Sequence, residues 1–251
     1  MTETGGRLEG RIALITGASR GIGAAVAKAY AAEGAQVVLT ARTQGGLEDV
    51  DDAIRADGGQ ATLFPADLTD FDTIDQMALA IHQRFGRLDI LVGNAGILGT
   101  LTPIHQIEPE TWDAVMKINL TANWRLVRAC DPLLRLSGAG RAIFVTSGAG
   151  DGRHPYWGAY AVSKGALEIM AKTWAAEVEK TTLRVNIINP GGTRTGMRAE
   201  AFPGEDPNSL PSADEIAQAF VPLAEASWTG NGERFEAREL LSAGVPRAQR
   251  R

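Results

Sequence analysis

Tyr160 and Lys164 stand four residues apart in a stretch of good helix formers, and Ser147 lies thirteen residues before Tyr160. Residues at positions i and i+4 share one face of a helix, so the phenol and the ammonium can project into the same cleft. A phenol titrates near ~10 in water, and a fixed cation beside it favours phenolate and lowers that pKa. The pair therefore predicts a tyrosine that acts as a general acid or base near neutral pH. Taken alone, it also fits an ordinary solvated helix face.

A glycine-rich turn near the start of the chain is the second chemical signal. Residues 16–23 read Thr-Gly-Ala-Ser-Arg-Gly-Ile-Gly, after a strand-like run at 11–15 and before a helix-like run at 24–33 that Gly34 ends. Strand, glycine turn and helix form the context of a dinucleotide fingerprint, because the free N–H groups at the helix start hold a pyrophosphate. The candidate contacts are Gly17, Ser19, Arg20, Gly21, Ile22 and Gly23. The spacing differs from the commoner Gly-x-Gly-x-x-Gly, so a plain strand-to-helix turn is the alternative.

Strand-like and helix-like segments alternate along the chain. Further apolar runs of strand length lie at 36–40, 61–64, 89–92, 141–146 and 183–188, with helical periodicity between them, as at 71–85 and 109–136. This alternation predicts an α/β fold, a doubly wound parallel sheet with helices on both faces, in one domain over residues 1–251. Ligands of such sheets bind outside the carboxyl ends of the strands.

Composition argues against several function classes. A formal net charge of −5 gives no reason to expect nucleic acid or an anionic membrane as a partner. No apolar run approaches the ~18 residues of a membrane helix, and the polar start at 1–10 does not resemble a signal peptide. The single cysteine, Cys130, suits a reducing compartment, so a cytoplasmic protein with Cys130 buried in a helix is expected. His82, His105 and His154 show no ligand spacing, so no metal is expected.

Taken together, these residues resemble the short-chain dehydrogenase/reductase family. The matching elements, in family-like order and spacing, are the glycine turn, Asp67, Asn94-Ala95-Gly96, Asn119, Ser147, Tyr160, Lys164, and Pro190-Gly191 followed by Thr195. They span nearly the whole chain. More narrowly, residues 189–199 and 201–207 are similar to a bacterial subgroup of NADP-dependent oxidoreductases, for which the resemblance names no substrate.

The resemblance implies a Rossmann-like fold and a reaction in which hydride passes between a nicotinamide and a carbonyl or alcohol. In that reaction Tyr160 donates the proton to the substrate oxygen, and Ser147 holds that oxygen by a hydrogen bond. Lys164 binds the nicotinamide ribose and lowers the Tyr160 pKa. Asn119 holds a water near the lysine and completes a proton relay to solvent.

The resemblance also implies contacts along the whole cofactor. They are Asp67 and Leu68 at the adenine, Asn94, Ala95 and Gly96 under the ribose, and Pro190, Gly191, Thr193 and Thr195 on the nicotinamide side. Gly93 departs from the family, which often has asparagine at that place, so one side-chain contact of this loop is in question.

Two arginines indicate which cofactor is used. Enzymes that prefer NAD place an acid after the second strand, on the ribose 2′-hydroxyl, whereas here Ala41 stands at that place and Arg42 follows. An arginine pairs with a 2′-phosphate through charge-assisted hydrogen bonds, and Arg20 in the glycine turn can supply a second cation. Either arginine alone also fits a solvated surface. Both together, without an acid, predict NADP(H) over NAD(H).

The segment 191–212 lacks clear periodicity and contains three prolines, which predicts a lid over the substrate; a crossover loop is the alternative. Tyr156, Trp157 and Met197 fit either an apolar substrate wall or packing at a helix start.

The C-terminal part departs from the family pattern. Thr229-Gly230 introduces a last strand, the usual closing double glycine is missing, and 244–251 form a basic tail that we expect to be flexible. Relatives often join subunits here, so a homodimer or homotetramer is expected, with a small carbonyl or alcohol compound as substrate. The main alternative is a catalytically silent NADP(H)-binding regulatory or scaffold protein, but such proteins should lose the tyrosine, lysine or serine. A nucleotide-sugar epimerase is disfavoured by the short chain after Lys164.

Overall fold

The computed structural model describes residues 5–243, which form a seven-stranded sheet. The strands are β1 (Ile12–Thr16), β2 (Gln36–Thr40), β3 (Ala61–Leu63), β4 (Ile90–Gly93), β5 (Arg141–Val145), β6 (Arg184–Asn189) and β7 (Arg234–Glu236). Their order is β3-β2-β1-β4-β5-β6-β7, and every neighbouring pair is parallel. The order reverses between β1 and β4, where doubly wound sheets bind their ligands.

Helices cover both faces of the sheet. They are α1 (Gly21–Ala32), α2 (Gln44–Ala56), α3 (Phe71–Phe85), α4 (Pro109–Met116), α5 (Ala122–Leu136), α6 (Gly158–Glu177), α7 (Gly196–Ala201), α8 (Ala213–Ala217), α9 (Phe220–Ala224) and α10 (Ala237–Ser242). Because successive strand residues point to opposite faces, Ala13 and Ile15 pack in one core with α1, α2 and α9. Ile12 and Leu14 pack in a second core with α3, α5 and α6.

The predicted fold class is confirmed, and so are the six predicted strand runs, whose bounds shift by at most one residue, and a last strand after Thr229-Gly230. Gly34 ends α1 as predicted, because it adopts φ +87° in the left-handed region that favours glycine. Cys130 is fully buried on α5, also as predicted. Within residues 5–243, no helix combines the length and apolar character needed to cross a bilayer.

One sequence prediction about regular structure is confirmed with added detail, and another is corrected. Residues 109–136 are helical throughout, as predicted, with a π-helical turn, Lys117–Thr121, between α4 and α5. The segment 191–212 is not wholly irregular, because α7 lies within it and Ser212 caps α8 with its side chain. The predicted tail 244–251 lies outside the described residues.

Candidate active site

Tyr160 and Lys164 project from α6 at the carboxyl end of the sheet. Lys164 Nζ lies 5.6 Å from the centroid of the Tyr160 ring and donates a hydrogen bond to the carbonyl of Val145, the last residue of β5, at 2.7 Å. The two residues are only 8% and 3% exposed. An ordinary solvated helix face is therefore the wrong interpretation of this pair.

The pKa of Tyr160 moves in the direction opposite to the sequence prediction. Burial raises the pKa of the phenol, and the hydroxyl of Ser147 lowers it to a smaller extent. Burial also lowers the pKa of the Lys164 ammonium to about 8. An apolar environment penalises the charged form of each group. The prediction counted only the neighbouring cation, whereas in the fold the largest effect on the pKa of the phenol is desolvation.

The depressed pKa of Lys164 has a measurable consequence for stability. In the unfolded chain this lysine keeps its ordinary pKa near ~10.4, so between pH 8 and 10 the unfolded state binds more protons and the free energy of unfolding rises with pH. Between pH 8 and pH 10, we expect the free energy of unfolding of wild type to rise by about 2 kcal/mol more than that of Lys164→Met. Urea unfolding of both proteins at the two pH values measures the difference, and parallel pH dependences would contradict the buried cation.

Ser147 follows β5 and begins a short 3₁₀ turn at 148–151, where its hydroxyl accepts the N–H of Ala149 at 3.2 Å. Its backbone is extended, and its hydroxyl is close enough to Tyr160 to affect the pKa of that residue. The structure therefore brings the predicted serine and tyrosine together. Whether Ser147 also holds a substrate oxygen stays a prediction.

A chain of polar contacts joins the ends of β5, β6 and β7 beside the site. Thr146 Oγ1 donates to Glu168 Oε1 at 2.7 Å, and Arg234 Nε lies 3.0 Å from the same oxygen. Arg234 also pairs with Glu236 at 2.9 Å, and Asn189 Nδ2 donates to Glu236 Oε2 at 2.6 Å. These contacts fix Thr146, which precedes Ser147, and Asn189, which precedes the turn predicted to lie at the nicotinamide. Sequence reasoning missed them because their partners come from separate elements.

Asn119 lies in the π-helical turn between α4 and α5 and is fully buried. Its Oδ1 accepts the N–H of Ile97 at 2.8 Å, and its Nδ2 donates to the Ile97 carbonyl and to Ser163 Oγ, each at 3.0 Å. A Cβ built on Gly96 would lie 3.1 Å from Asn119 Oδ1 and 3.6 Å from Lys164 Nζ. Asn119 therefore clamps the loop after β4 next to the lysine. Single-turn π-helical insertions of this kind frequently occur at functional sites.

Two polar side chains shape the glycine turn. Asn94 Nδ2 donates to the Thr16 carbonyl at 2.8 Å, and Thr16 Oγ1 accepts the N–H groups of Asn94 and Ala95, each at 3.0 Å. Gly17 and Gly21 adopt φ values of +64° and +57°, which favour glycine. The loop after β4 thus lies beside the turn as predicted, while the Asn94 side chain is used to hold the turn itself.

The departure from the family at Gly93 has a steric reason. A Cβ at this position would lie 2.4 Å from Asn123 Oδ1 and 2.5 Å from the ring of Phe144, so the space for a side chain is already filled. The next residue, Asn94, supplies a side-chain contact of this loop, to the Thr16 carbonyl.

The start of α1 is open towards an anion. Arg20 occupies the N-cap position without a side-chain cap, and the first turn contains no acidic residue. The first N–H groups of a helix have no intrahelical partner, and the helix dipole is positive there. Ser19, Gly21 and Ile22 are partly exposed at this end, whereas Gly23 is buried.

Gly23 packs too tightly to accept a larger residue. A Cβ there would lie 2.3 Å from the Gly17 carbonyl oxygen and 2.6 Å from Asn94 Nδ2. We expect Gly23→Ala to lower the free energy of unfolding by about 1–3 kcal/mol, because the turn must shift, and to weaken NADPH binding. Urea unfolding and an NADPH titration measure the two effects.

Gly45→Ala is the matched control for that variant. Gly45 lies in α2 with no atom within 4 Å of a built Cβ, so alanine should stabilise the helix by about 0.5–1 kcal/mol. A Gly23→Ala protein with wild-type stability and wild-type NADPH affinity would contradict the tight packing.

Arg42 and Asp67, predicted for the phosphate and the adenine, follow β2 and β3 and lie near each other. Arg20 and Arg42 are both exposed. The N–H of Thr69 donates to Asp67 Oδ1 at 2.9 Å and lowers the pKa of that carboxyl, with smaller contributions from Arg42 and Lys117. Arg42 is therefore close enough to Asp67 to influence it. Leu68, next to it, is buried.

The turn after β6 is held by its own polar groups. The Gly191 N–H donates to Asn189 Oδ1 at 3.1 Å. Thr193 is buried, with its hydroxyl 3.3 Å from the carbonyls of Pro190 and Gly191. Thr195 caps α7, and its methyl carbon would lie 3.5 Å from a Cβ built on Gly21. The structure thus brings the start of the 191–212 segment against the glycine turn.

Among the residues that the structure describes, no group of three or more His, Cys, Asp or Glu side chains is arranged to hold a metal ion. The site consists of the tyrosine, lysine and serine at one end and the glycine turn at the other.

Comparison with known proteins agrees with this geometry. A family model described as short chain dehydrogenase matches residues 11–206. The chain is 40% identical over 242 residues to the uncharacterized oxidoreductase YciK of Escherichia coli K12, with 95% of this chain and 96% of that protein covered.

Two solved structures of relatives contain the cofactor predicted here. A short chain dehydrogenase from Shigella flexneri complexed with NADP has a TM-score of 0.89 and 41% identity, over 92% of this chain and 99% of that one. Another short chain dehydrogenase, from Escherichia coli CFT073 and complexed with NADPH, has a TM-score of 0.88 and 40% identity, over 92% of this chain and 98% of that one. The chain belongs to the short-chain dehydrogenase/reductase family.

Proposed function

We propose that this oxidoreductase uses NADP(H) to transfer hydride between the nicotinamide and a carbonyl or alcohol substrate, with Tyr160 as the general acid or base. One observation carries the proposal: buried Tyr160 and Lys164, together with Ser147, lie at the same sheet edge as a glycine turn open to an anion. A catalytically silent relative should lose one or more of these three residues, and this chain keeps all of them, so the scaffold alternative is not favoured. A homodimer or homotetramer stays a prediction.

The residues around the turn fit a phosphorylated dinucleotide. Gly17 and Gly21 have positive φ values, and a side chain at Gly23 would fill the turn. The uncapped start of α1 suits the pyrophosphate. Arg20 and Arg42, both exposed, suit the 2′-phosphate that distinguishes NADP from NAD. The relatives solved with NADP and NADPH support the same choice.

The reduction can be written with each residue in a definite role. When bound, NADPH supplies the hydride that forms the new C–H bond at the carbonyl carbon. Tyr160 gives its proton to the carbonyl oxygen, which completes the O–H bond of the alcohol. Ser147 donates a hydrogen bond to the same oxygen and stabilises the charge that develops there.

Burial of the site favours the acid role. The raised pKa of Tyr160 keeps its hydroxyl protonated at neutral pH, as proton donation in the reductive direction requires. Lys164 would hold the nicotinamide ribose and help return a proton to the tyrosine. Asn119, which fixes the loop beside the lysine, would support a water in that relay.

The proposal is tested by NADPH consumption. The protein is assayed at 340 nm with a panel of ketones, aldehydes and quinones, with NADH in parallel. Turnover with at least one carbonyl, faster with NADPH than with NADH, is the expected result. NADPH binding without turnover across the panel would instead support the silent scaffold.

A further inference from the structure

An aromatic cluster packs against the proposed general acid. The Trp157 ring centroid lies 5.7 Å from that of Tyr160, edge to face at 66°, and 5.7 Å from that of Phe202 at 38°. Apolar side chains complete this cluster around Tyr160, namely Leu98, Leu101 and Met197. We call Tyr156, Trp157 and Phe202 the aromatic mouth. The Phe202 ring belongs to the 191–212 segment, so that segment contributes one wall.

The backbone is strained at Tyr156, the residue just before Trp157. Tyr156 has φ +74°, and it is the one non-glycine residue with positive φ between residues 5 and 243. Bulky residues rarely adopt this conformation, and such outliers cluster at functional sites. The strained residue is held by the Thr102 N–H, which donates to its carbonyl at 3.0 Å, and Thr102 also forms a β-bridge with Trp157. The loop before α6 therefore holds Trp157 against Tyr160.

Apolar side chains are exposed around this mouth. Tyr156 is 59% exposed, Phe202 is 37% exposed, and Ile104 is 66% exposed. Ile104 lies beside them, since its Cγ1 would be 3.1 Å from a Cβ built on Gly158, the residue after Trp157. A group of exposed large apolar residues beside a reactive group indicates a ligand surface rather than ordinary packing.

The cation within this cluster is already paired. Arg198 donates from Nε and Nη2 to the two carboxylate oxygens of Glu205, each at 2.6 Å, and its guanidinium lies 3.8 Å from the centroid of Phe202. A bidentate pair of this kind leaves the fork of the arginine occupied. The other side chain here that can carry a positive charge, His154, lies edge-on to Trp157 at 6.0 Å and is 3.6 Å from Asp151. Both groups thus already face a carboxylate of the protein, which disfavours a substrate carboxylate or phosphate at the mouth.

We propose that the substrate carries a flat, uncharged, apolar ring next to its carbonyl, bound against the pair that Trp157 and Phe202 form by packing on each other. This inference rests on the proposed function, because the ring places the carbonyl at Tyr160. Aromatic rings prefer edge-to-face and offset contacts of the kind that the two walls already make with their neighbours. The substrate class is thus an aryl ketone, aryl aldehyde or quinone.

Three matched carbonyl compounds test the proposal. 1-Phenyl-1,2-propanedione has the ring without charge, butane-2,3-dione lacks the ring, and phenylglyoxylate has the ring with a carboxylate. Wild type should show kcat/KM for the first at least about tenfold above the other two. Phe202→Ala should raise KM for phenylpropanedione about tenfold and change butanedione less than about twofold. Phe202→Tyr should retain the preference, whereas Phe202→Leu should not.

Leu79→Ala, which truncates a 55% exposed residue on α3, is the remote control and should change none of these values. Equal effects of Phe202→Ala on all three compounds, or a preference for phenylglyoxylate, would overturn the proposed substrate class. The separate failure of the proposed function would appear differently, as no Tyr160-dependent turnover of any compound.

A binding measurement separates these cases further. With the Tyr160→Phe protein saturated with NADP, phenylpropanedione should quench tryptophan fluorescence, and the additional change Trp157→Phe should abolish that quenching. Quenching that persists without Trp157 would place the ring elsewhere and overturn the inference.

Discussion

Tyr160→Phe is expected to lower kcat for carbonyl reduction by about 10²–10⁴-fold, because a general acid contributes about that much to proton transfer. The phenyl ring keeps the packing against Trp157 at 5.7 Å and removes only the hydroxyl. NADPH affinity should change less than about threefold, since the glycine turn and both arginines are untouched. Steady-state kinetics and an NADPH titration measure the two quantities.

Tyr156→Phe is the matched control for the loss of that hydroxyl. Tyr156 lies four residues before Tyr160 and is largely exposed, and phenylalanine keeps the ring that it contributes to the aromatic mouth. Removing only its hydroxyl should therefore leave kcat close to wild type. Near wild-type turnover by Tyr160→Phe would defeat the assignment of Tyr160 as the acid. A large loss in both variants would show that the assay reports disturbance of the loop.

Arg42→Ala is expected to weaken NADPH binding by about 10–100-fold while changing NADH binding less than about threefold, because only NADPH carries the 2′-phosphate with which arginine forms charge-assisted hydrogen bonds. Arg42 follows the end of β2 and is exposed, so its replacement should leave the fold intact. Titration of the protein with each cofactor measures the ratio of dissociation constants.

Salt provides an independent check on that ratio. Raising the ionic strength screens exposed charges, so the preference of wild type for NADPH should shrink with salt, and the preference of Arg42→Ala should shrink less. Arg84→Ala, at an exposed position on α3, is the control and should behave as wild type. An equal loss of NADPH and NADH affinity in Arg42→Ala would show that Arg42 does not read the phosphate.

Substitutions in the aromatic mouth should change substrate specificity, and substitutions at the phosphate site should change cofactor specificity. In our proposals, Arg42 and Arg20 select the cofactor, whereas Trp157 and Phe202 select the carbonyl compound that reaches Tyr160. Variants at the two ends should therefore combine additively, as changes at separate sites usually do. Tyr160 lies on α6. Lys164 and Glu168 hold this helix against the end of β5 through hydrogen bonds to Val145 and Thr146.

The strands, the glycine turn and the Tyr160–Lys164 helix were predictable from the sequence because each is encoded locally. Apolar runs of strand length, glycines with positive φ and a four-residue spacing on one helix face all depend on near neighbours in the chain. The order of the remaining motifs then indicated the family, which the family match over residues 11–206 confirms. The absence of an acid after β2 likewise needed no tertiary information.

Other properties depend on burial and on contacts between distant residues, which only the tertiary structure decides. The pKa of Tyr160 rises because the fold removes water from around it, and the spacing of residues in the sequence does not predict this burial. Asn119 lies in a π-helical turn and binds the backbone of Ile97, which is 22 residues away in the chain. The link from Thr146 through Glu168 to Arg234 joins three separate elements. The sequence thus determined which groups are available for chemistry, whereas the packing determined the burial that shifts their pKa values, the contacts that support them and the aromatic cluster beside them.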